Sequence, residues 1–329
     1  MEILIKSFNR PYYLDRCLES IHKFVKGDFV VKVLDDGTPE TYLARIIEKY
    51  PGIKLLRSPQ YERKSQAISQ YLQQGVPYHQ PEIPTAFWVE AITASTPTFM
   101  LLEDDIWLTQ EVDLNEASQV MAQYHLPMLR LSWQGNKILI NGATESLSDR
   151  IEQVIPEISW LKKSIFMNKA KVRSIGYRLG FFKNITPYQL PLYVLYAVAG
   201  AFFTREYWLH LWDGAGGKVL EEAQLRKAVQ WYDKHHCGYG KMKQESAETS
   251  YITSTHNGFP EVKLDMMQLN YLLNQAWLAG ELDASQGFPL DFNVEYLKQF
   301  LSEHALHEQW LRWISVFKNN YRKVGCRVD

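Results

Sequence analysis

The chain has 329 residues, of which 46% are hydrophobic and 13% aromatic, with 36 basic residues against 37 acidic ones. This composition is too apolar for a disordered chain, and the length allows one large domain or two modest ones. Because the charges balance, no general attraction to polyanions exists, and we expect no nucleic-acid partner.

Cysteine usage and hydropathy predict a cytoplasmic protein. Cys17, Cys237 and Cys326 are odd in number and far apart, which favours neither a disulfide framework nor a zinc site. The apolar run 1–5 is too short for a signal peptide. The most apolar stretch, 190–203, is shorter than the roughly 20 residues that span a bilayer. We therefore expect no membrane-spanning anchor.

The first hundred residues alternate between predicted strands and predicted helices. Apolar spacing and turn residues predict strands at 1–6, 29–34, 53–57 and 98–102, and helices at 13–25, 42–50, 64–74 and 87–95. Such alternation is typical of parallel strands joined by crossover helices. The sequence therefore predicts an α/β fold with a Rossmann-like, mostly parallel central sheet flanked by helices.

The pattern is less regular beyond residue 127. It predicts a strand at 128–132, a hairpin through 137–142 and a helical, amphipathic C-terminal extension. The aromatic and basic residues of this extension suit packing against the core, or alternatively peripheral contact with the inner face of a membrane. We divide the chain into a first half, 1–127, a second half of the same domain, 128–290, and the extension, 291–329.

Polar clusters follow three of the predicted strands. They are Asn9-Arg10, Asp35-Asp36 and the triplet from Glu103 to Asp105. In a parallel sheet the carboxyl ends of strands share one edge, where ligands bind at the point of strand-order reversal. We therefore expect the three clusters to share one crevice.

The triplet of Glu103, Asp104 and Asp105 predicts a metal site. Three adjacent carboxylates at the end of an apolar strand repel one another unless a cation is present, and Mg²⁺ or Mn²⁺ prefers such oxygen ligands. An acidic helix start is the alternative interpretation. The pair Asp35-Asp36 suits hydrogen bonds from a ribose or nucleobase, although Asp-Asp-Gly is also common in turns.

These motifs resemble the GT-A glycosyltransferases, particularly family 2. The segments that carry the resemblance are 5–11 with 14–21, 34–38, and 102–105, in the order that the family has them. The resemblance extends over residues 1 to 110. It implies a nucleotide-diphosphate sugar donor, a divalent cation (Mn²⁺ or Mg²⁺) and transfer of the sugar to a hydroxyl of a glycan or other acceptor.

The resemblance also assigns roles to single residues. The last acid of the D-x-D-like motif, Asp105, is the expected metal ligand. Arg63 and Lys64 follow the third strand, where they either contact the diphosphate or remain surface cations. The remaining predicted donor-binding residues are Ser7, Phe8, Asn9, Arg10, Asp35, Asp36, Glu103 and Asp104.

Later segments extend the resemblance. Residues 198–203 are similar to the family's small-residue strand beneath the acceptor, and 217–225 to its E-D-x-x-L motif, with Glu222 in place of the acid that acts as base. The family has Asp there, so Glu221 and Asp213 are substitutes, and an exposed helix start is the alternative.

Histidines and a basic segment complete the candidates. His256 resembles a late histidine that completes the metal shell in some relatives, although a lone histidine is often structural. The segment 162–183 is rich in cations and suits a diphosphate, an anionic acceptor or a solvated helical face.

We therefore expect a metal-dependent, inverting glycosyltransferase acting in glycan or polysaccharide biosynthesis from the cytoplasmic side. A nucleotidyltransferase is one alternative, but it calls for a glycine-rich, lysine-ended loop after the first strand, and the chain has 7–11 without glycine there. A GT-A-like module that binds glycan or protein without catalysis is another, because a fold alone does not prove activity.

Overall fold

A computed structural model describes residues 1–78, 82–168, 189–254, 259, 262–301 and 304–329. Its centre is a nine-stranded sheet with the strand order β4-β3-β1-β5-β11-β8-β12-β10-β9. Those strands are β1 (Glu2–Ser7), β3 (Val30–Asp35), β4 (Lys54–Arg57), β5 (Thr98–Glu103), β8 (Met128–Arg130), β9 (Gly142–Ser146), β10 (Ile151–Pro156), β11 (Ala201–Thr204) and β12 (Tyr239–Met242).

Short strand pairs and helices complete the described structure. The pairs are β2 (Val25–Lys26) with β7 (Val112–Asp113), and β6 (Ile106–Leu108) with β13 (Ala247–Thr249). The helices are α1 (Pro11–Phe24), α2 (Glu40–Lys49), α3 (Tyr61–Gln74), α4 (Thr85–Thr93), α5 (Leu114–Gln123), α6 (Trp160–Met167), α7 (Arg205–Trp212), α8 (Glu221–His235), α9 (Met266–Leu278), α10 (Val294–Lys298) and α11 (His304–Lys323), with short 3₁₀ turns at Lys137–Ile140 and Leu190–Leu195.

The sheet confirms the mostly parallel α/β prediction. Strands β4, β3, β1 and β5 pair in parallel, and β11 then lies antiparallel between β5 and β8. Beyond it, β8 and β12 pair in parallel before the antiparallel β10 and β9. Because β1, β3 and β5 run parallel, their carboxyl ends lie together at one edge, beside Arg10, Asp36 and the acidic triplet.

The hairpin predicted through 137–142 is wrong. Lys137–Ile140 forms a 3₁₀ turn, and the hairpin is made by β9 and β10 instead. Asn136 begins the turn, since its side chain accepts a hydrogen bond from the N–H of Ile138. Gly142 then has φ 154°, where a Cβ would lie 2.2 Å from the carbonyl oxygen of Ile155. A side chain at this position would therefore collide with the neighbouring strand β10.

Alternate residues of the central strands pack into cores on opposite faces of the sheet. In β1, Ile3 and Ile5 belong to the core on the α1 side, whereas Leu4 belongs to the core that contains Trp208 and Trp212. This is the period-2 alternation of a strand that is buried on both faces. The helical layers therefore hold β1 rigidly beneath the residues that follow it.

The C-terminal extension packs against the α1-side core. Trp310 and Trp313 of α11 have no exposed surface, and the indole Nε1 of Trp310 donates a hydrogen bond of 2.6 Å to the carbonyl of Ile252. Trp313 stacks on Phe317 with ring centroids 4.6 Å apart. These aromatic side chains are thus used in packing. Among the described residues, no helix combines the length and the apolar character that crossing a membrane requires.

We predict that Trp310→Ala lowers the free energy of unfolding by about 3–5 kcal/mol, because it removes a large buried side chain and leaves a cavity. Urea denaturation followed by circular dichroism measures the change. The matched control is Leu311→Ala, one residue further along and 38% exposed, for which we expect about 0.5 kcal/mol or less. Equal effects of the two variants would contradict the docking of α11.

Candidate active site

A cavity of about 300 Å³ lies at the carboxyl ends of β1, β3 and β5. Each of these strands contributes residues at or just after its end, so the sheet topology brings together segments that are about 100 residues apart in sequence. The cavity's polar lining from these strands and the helix α3 consists of Lys6, Ser7, Arg10, Asp36, Lys64, Glu103, Asp104 and Asp105.

Arg10 holds the two aspartates of the acidic triplet. Its guanidinium donates one hydrogen bond of 2.5 Å to Oδ1 of Asp104 and another of 2.8 Å to Oδ2 of Asp105. The second oxygen of Asp104 accepts the backbone N–H of Phe8 at 3.0 Å. Asp104 is only 2% exposed, so it serves to fix the loop after β1 to the end of β5, and Asp105 is the aspartate nearer solvent.

The third acid, Glu103, pairs with Lys6. The two side chains are 2.7 Å apart, and the Lys6 ammonium lies 4.7 Å from the ring centre of Trp88. Although burial opposes its ionisation, the neighbouring ammonium lowers the pKa of Glu103. Burial instead raises the pKa of Asp104 to about 7 and that of Asp105 above its ordinary value, even with Arg10 beside both. Such groups favour an additional cation.

The Asp35-Asp36 pair divides into a structural and a cavity-lining residue. Asp35 has no exposed surface, and its carboxylate accepts hydrogen bonds from the N–H groups of Gly37 and Thr38 and from the Thr38 hydroxyl. Asp36 lines the cavity, where it pairs with Lys64 and accepts a hydrogen bond of 2.5 Å from Ser58. Only Asp36 is placed to contact a ligand.

The residues of the loop after β1 also differ in whether they face the cavity. Ser7 and Phe8 line the cavity, and the buried Ser7 hydroxyl has no hydrogen-bond partner among the described residues. Asn9, with φ 54°, faces away from the cavity and accepts hydrogen bonds of 3.2 Å from Asn274 at its carbonyl and side-chain oxygens. Asn9 therefore shapes the loop, and Ser7 offers a free polar atom to a ligand.

Arg63 and Lys64 point in different directions from α3. Arg63 is exposed and bonds to Gln60 at 3.0 Å, away from the cavity. Lys64 is 2% exposed, lines the cavity and donates a hydrogen bond of 2.8 Å to the carbonyl of Glu82. Lys64 was a candidate from the sequence, whereas Lys6, which also lines the cavity, was not. In the sequence, the feature that indicates Lys6 is a charged residue within an otherwise apolar strand.

A second cavity of about 720 Å³ adjoins the first. The two share Lys6, Trp88, Glu103, Asp105, Val219 and Ser254 as lining residues. Residues 198–200, before β11, form part of its wall. Gly200, with φ 68°, lets the chain turn there at a conformation that other residues rarely adopt. The two cavities adjoin at these shared residues, which include Glu103 and Asp105, and together form one cleft.

Among the base candidates, Glu221 is the one that lines the larger cavity. The hydroxyl of Tyr193 donates a hydrogen bond of 2.9 Å to its carboxylate, and burial raises the pKa of Glu221. Glu222, the first choice from sequence, lines neither cavity and pairs with Arg226 at 3.2 Å. Asp213 is 87% exposed and also lies outside both cavities.

The C-terminal residues support the larger cavity, which sequence reasoning missed. Phe317, Tyr321, Val324 and Cys326 line it. Val324 accepts a hydrogen bond of 2.8 Å at its carbonyl from the side chain of Asn136, which belongs to the lining loop 132–136. No motif in the sequence indicates this pairing of residues that are almost 190 positions apart.

His256 and residues 169–183 of the basic segment lie outside the described residues. Within the described ranges, no three His, Cys, Asp or Glu side chains converge to hold a metal ion by themselves. Glu103 and Asp105 nevertheless present carboxylates to the cleft. Mg²⁺ and Mn²⁺ sites often use only one or two protein carboxylates when phosphates supply further ligands.

Comparison with known proteins supports the class of enzyme that the motifs predict. The family model of glycosyl transferase family 2 matches residues 2–75, which includes β1, β3 and the turn with Asp36. This match confirms the resemblance to GT-A, family 2-like enzymes and supports a nucleotide-sugar glycosyltransferase. No curated protein matches the chain significantly.

Solved structures with low similarity were also found. The 1–349 fragment of TarS from S. aureus has 13% identity, with 98% of this chain and 91% of that one covered and a TM-score of 0.34. Glucosyl-3-phosphoglycerate synthase from Mycobacterium tuberculosis, in complex with Mn²⁺, uridine diphosphate and phosphoglyceric acid, has 11% identity, coverages of 87% and 81%, and a TM-score of 0.38. Because these TM-scores are low, the ligands of those proteins do not indicate what this chain binds.

We predict that Arg10→Met lowers the free energy of unfolding by about 3–5 kcal/mol, because it leaves Asp104 buried without its counter-charge. Chemical denaturation measures the loss. The matched control is Arg63→Met in the exposed position on α3, for which a change within about 0.5 kcal/mol is expected. If Arg10→Met were as stable as the control, the Arg10 pairing would not hold the site together.

Proposed function

We propose that this protein transfers a sugar from a nucleotide-diphosphate sugar to a hydroxyl of an acceptor, with inversion at the anomeric carbon, and that the reaction depends on a divalent cation. The observation that carries the proposal is the single cleft, whose smaller and larger cavities meet at Glu103 and Asp105. Two substrates placed in the two cavities would meet at these carboxylates.

The smaller cavity suits the nucleotide diphosphate. Its lining contains two buried hydroxyls, those of Ser7 and Tyr78, without hydrogen-bond partners among the described residues. Buried polar groups are normally satisfied, so these hydroxyls indicate where a polar ligand donates or accepts. Asp36 lies in the same cavity, and we assign to it the nucleoside-binding role that the family resemblance implies.

The charge of the smaller cavity supports the cation requirement. Among the described residues its lining holds five acids (Asp36, Glu82, Glu103, Asp104 and Asp105) and three bases (Lys6, Arg10 and Lys64). A diphosphate brings further negative charge into this acidic site. An added divalent cation removes the repulsion, and we assign its protein ligands to Asp105 and Glu103, with His256 as a further candidate.

Bound Mn²⁺ or Mg²⁺ would act as a Lewis acid that stabilises negative charge on the departing nucleotide diphosphate. The protein's own part is to position both substrates. Arg10 fixes Asp105, and the Lys6 ammonium fixes Glu103. These ion pairs fix the side-chain conformations of both acids at the junction of the cavities. The acids therefore lose little conformational entropy when the substrates bind.

Glu221 is the proposed base. Its carboxylate lines the larger cavity, and desolvation by the surrounding protein raises its pKa, which favours its accepting a proton. The acceptor oxygen forms a bond to the anomeric carbon as the bond to the nucleotide oxygen breaks, and the hydroxyl proton passes to Glu221. A single displacement of this kind inverts the configuration. Tyr193 orients the base through its hydrogen bond.

The predicted division of the chain becomes part of this proposal. Residues 1–127 supply most of the donor cavity and 128–290 most of the acceptor cavity, including Glu221. The extension, 291–329, adds Phe317 and Tyr321 to the acceptor side. We propose that the protein acts in glycan biosynthesis at the cytoplasmic side of the membrane. Among the described residues, the contacts of α11 do not favour its use as a membrane anchor.

We predict that one nucleoside diphosphate raises the melting temperature only in the presence of Mn²⁺ or Mg²⁺. A ligand specific to the native state stabilises by about 2.7 kcal/mol at one hundred times its Kd, which differential scanning fluorimetry detects. Asp105→Asn should abolish the shift, whereas Asp213→Asn, an exposed acid outside both cavities, should retain it. Shifts that are independent of metal would refute the cation requirement, and no shift with any nucleotide would refute the donor class.

We predict that Glu221→Gln lowers kcat for transfer by roughly 10²–10⁴-fold and leaves the nucleotide-dependent thermal shift intact. The wild-type rate should fall at acidic pH, with an apparent pKa above the ordinary value for glutamate, because protonated Glu221 cannot accept the proton. Glu222→Gln is the adjacent control and should stay within a few-fold of wild type. A larger loss in Glu222→Gln than in Glu221→Gln would return the assignment to Glu222.

A further inference from the structure

Arg130 stands at the end of a strand that contributes no residue to the reaction proposed above. It is the last residue of β8, opposite Ala201 of β11 and Lys241 of β12. Because β11 is antiparallel to both β5 and β8, the strands β5 and β8 run in the same direction. The carboxyl end of β8 therefore lies at the same edge of the sheet as the acidic triplet, where α/β sheets bind ligands. Arg130 lines the larger cavity there but not the smaller one.

The guanidinium of Arg130 is only partly satisfied by the protein. Its Nη2 donates two hydrogen bonds of 2.7 Å, to the carbonyl oxygens of Tyr193 and Tyr196. Within the described ranges, no acceptor bonds to its Nη1 or Nε, and no carboxylate pairs with it. A guanidinium has five N–H donors, and the two carbonyls use only the pair on Nη2. The donors on Nη1 and Nε are therefore available to a ligand in the larger cavity.

A buried cation without a counter-charge is energetically costly. Arg130 is 7% exposed, and burial lowers its pKa to about 10, so the group remains charged at neutral pH. Two neutral carbonyl oxygens do not balance a full positive charge, and buried charges in proteins are normally paired with an opposite charge. An anionic ligand in the larger cavity would supply that opposite charge.

The acids of this cavity do not oppose an anionic ligand, because most of them already have a cation. The described pairs are Lys6 with Glu103, Arg10 with Asp105, and Arg327 with Glu248. Glu221 accepts a hydrogen bond from Tyr193, and desolvation raises its pKa. The divalent cation assigned to Glu103 and Asp105 would add positive charge. Arg130 is thus the cation of the described wall that has no carboxylate partner of its own.

The size and the rings of the cavity indicate that the anionic group belongs to a larger molecule. Its volume of about 720 Å³ is typical of pockets that hold whole small molecules rather than single ions. Aromatic side chains offer flat apolar faces, against which the C–H faces of a sugar ring pack. The described lining includes Trp133, Tyr193, Tyr196, Tyr251, Phe317 and Tyr321.

We propose that the acceptor is a carbohydrate that carries an anionic group, a phosphate or a carboxylate, and that Arg130 binds this group in the larger cavity. The proposal deepens the proposed function and rests on it. Tyr193 connects the two sites, since its carbonyl accepts a hydrogen bond from Arg130 and its hydroxyl donates one to Glu221. Arg130 therefore holds the charged group while a hydroxyl of the same acceptor reaches the proposed base.

The test is a glycan array probed with the full chain, in the presence of saturating nucleoside diphosphate and Mg²⁺. The array presents neutral glycans beside counterparts that differ only by one phosphate or one carboxylate on the terminal sugar. We expect the anionic members to bind at least about tenfold more tightly, because hydrogen bonds to charged partners are the stronger ones. Equal or weaker binding of the anionic members overturns the proposal, and so does the absence of any bound anionic glycan.

Inorganic phosphate distinguishes an anionic acceptor from a site for free anions. Because it has no sugar ring to pack against the aromatic wall, it should compete with the anionic glycans only at a concentration at least about tenfold higher than that of a competing glycan. Competition at equal concentrations would indicate a site for free anions and would overturn the assignment to the acceptor.

Variants of Arg130 separate recognition of charge from support of the turn Leu190–Leu195. Arg130→Gln removes the charge but keeps a donor for the carbonyls, so the preference for anionic glycans should disappear while neutral glycans bind as before. Arg130→Lys keeps the charge and should retain part of the preference. The matched control is Arg150→Gln, at an exposed position that lines neither cavity, and it should leave the preference unchanged.

Two outcomes of these variants contradict the role of Arg130. An intact preference in Arg130→Gln shows that another group recognises the anion, and an equal loss of neutral and anionic glycans shows a purely structural role. The nucleotide-dependent thermal shift reports whether each variant is folded. The arrays with the wild type and with Arg130→Lys decide the proposal even if Arg130→Gln does not fold.

Failure of the acceptor proposal is distinguishable from failure of the proposed function. Cation-dependent nucleotide binding and hydrolysis of a donor sugar nucleotide require no acceptor glycan. If both are present and the array selects neutral glycans, the donor chemistry stands and the acceptor class is wrong. If both are absent, the proposed function itself is wrong.

Discussion

The contact of Arg10 with Asp104 and Asp105 is the interaction on which the site depends. Three consecutive carboxylates at the end of a buried strand repel one another, and burial alone would drive them to take up protons. The guanidinium joins two of them to the loop after β1, and Lys6 neutralises the third. This arrangement leaves the acids ionisable and immobile at the point where the two cavities meet.

The sheet topology supplies the second constraint. Strands β3, β1 and β5 end at one edge, and the antiparallel β11 lies beside β5, so Glu103 and Asp105 border the larger cavity as well as the smaller one. A cleft formed in this way contains residues from distant segments but has a rigid floor. The proposed sugar transfer needs a rigid floor, because both substrates must be held within bonding reach.

The C-terminal extension connects the wall of the larger cavity to the core. Trp310 and Trp313 anchor α11, and the following residues return along the loop 132–136. Glu245 holds the same loop, since it accepts the N–H of Trp133 at 2.7 Å and pairs with Arg327 at 3.4 Å. The extension is therefore part of the larger cavity, and its aromatic residues have both a packing role and a lining role.

Part of this arrangement could be predicted from local sequence. The strand and helix order of the first hundred residues, the parallel sheet, and the convergence of Asp36, Glu103 and Asp105 all follow from hydrophobic period and from the rule that parallel strands end at one edge. These features depend on the residue pattern within short segments, so they can be predicted from a single sequence. The family 2 match over residues 2–75 lies in the same region.

Tertiary structure decided which way each side chain faces and which distant segments meet. Neighbours such as Asp35 and Asp36, Arg63 and Lys64, or Glu221 and Glu222 have the same chemistry in sequence, yet only Asp36, Lys64 and Glu221 line the cleft. Rotation by one residue along a helix or through a turn separates the members of each pair. The larger cavity could not be predicted from local sequence, because its walls come from distant segments that packing and long-range hydrogen bonds bring into contact.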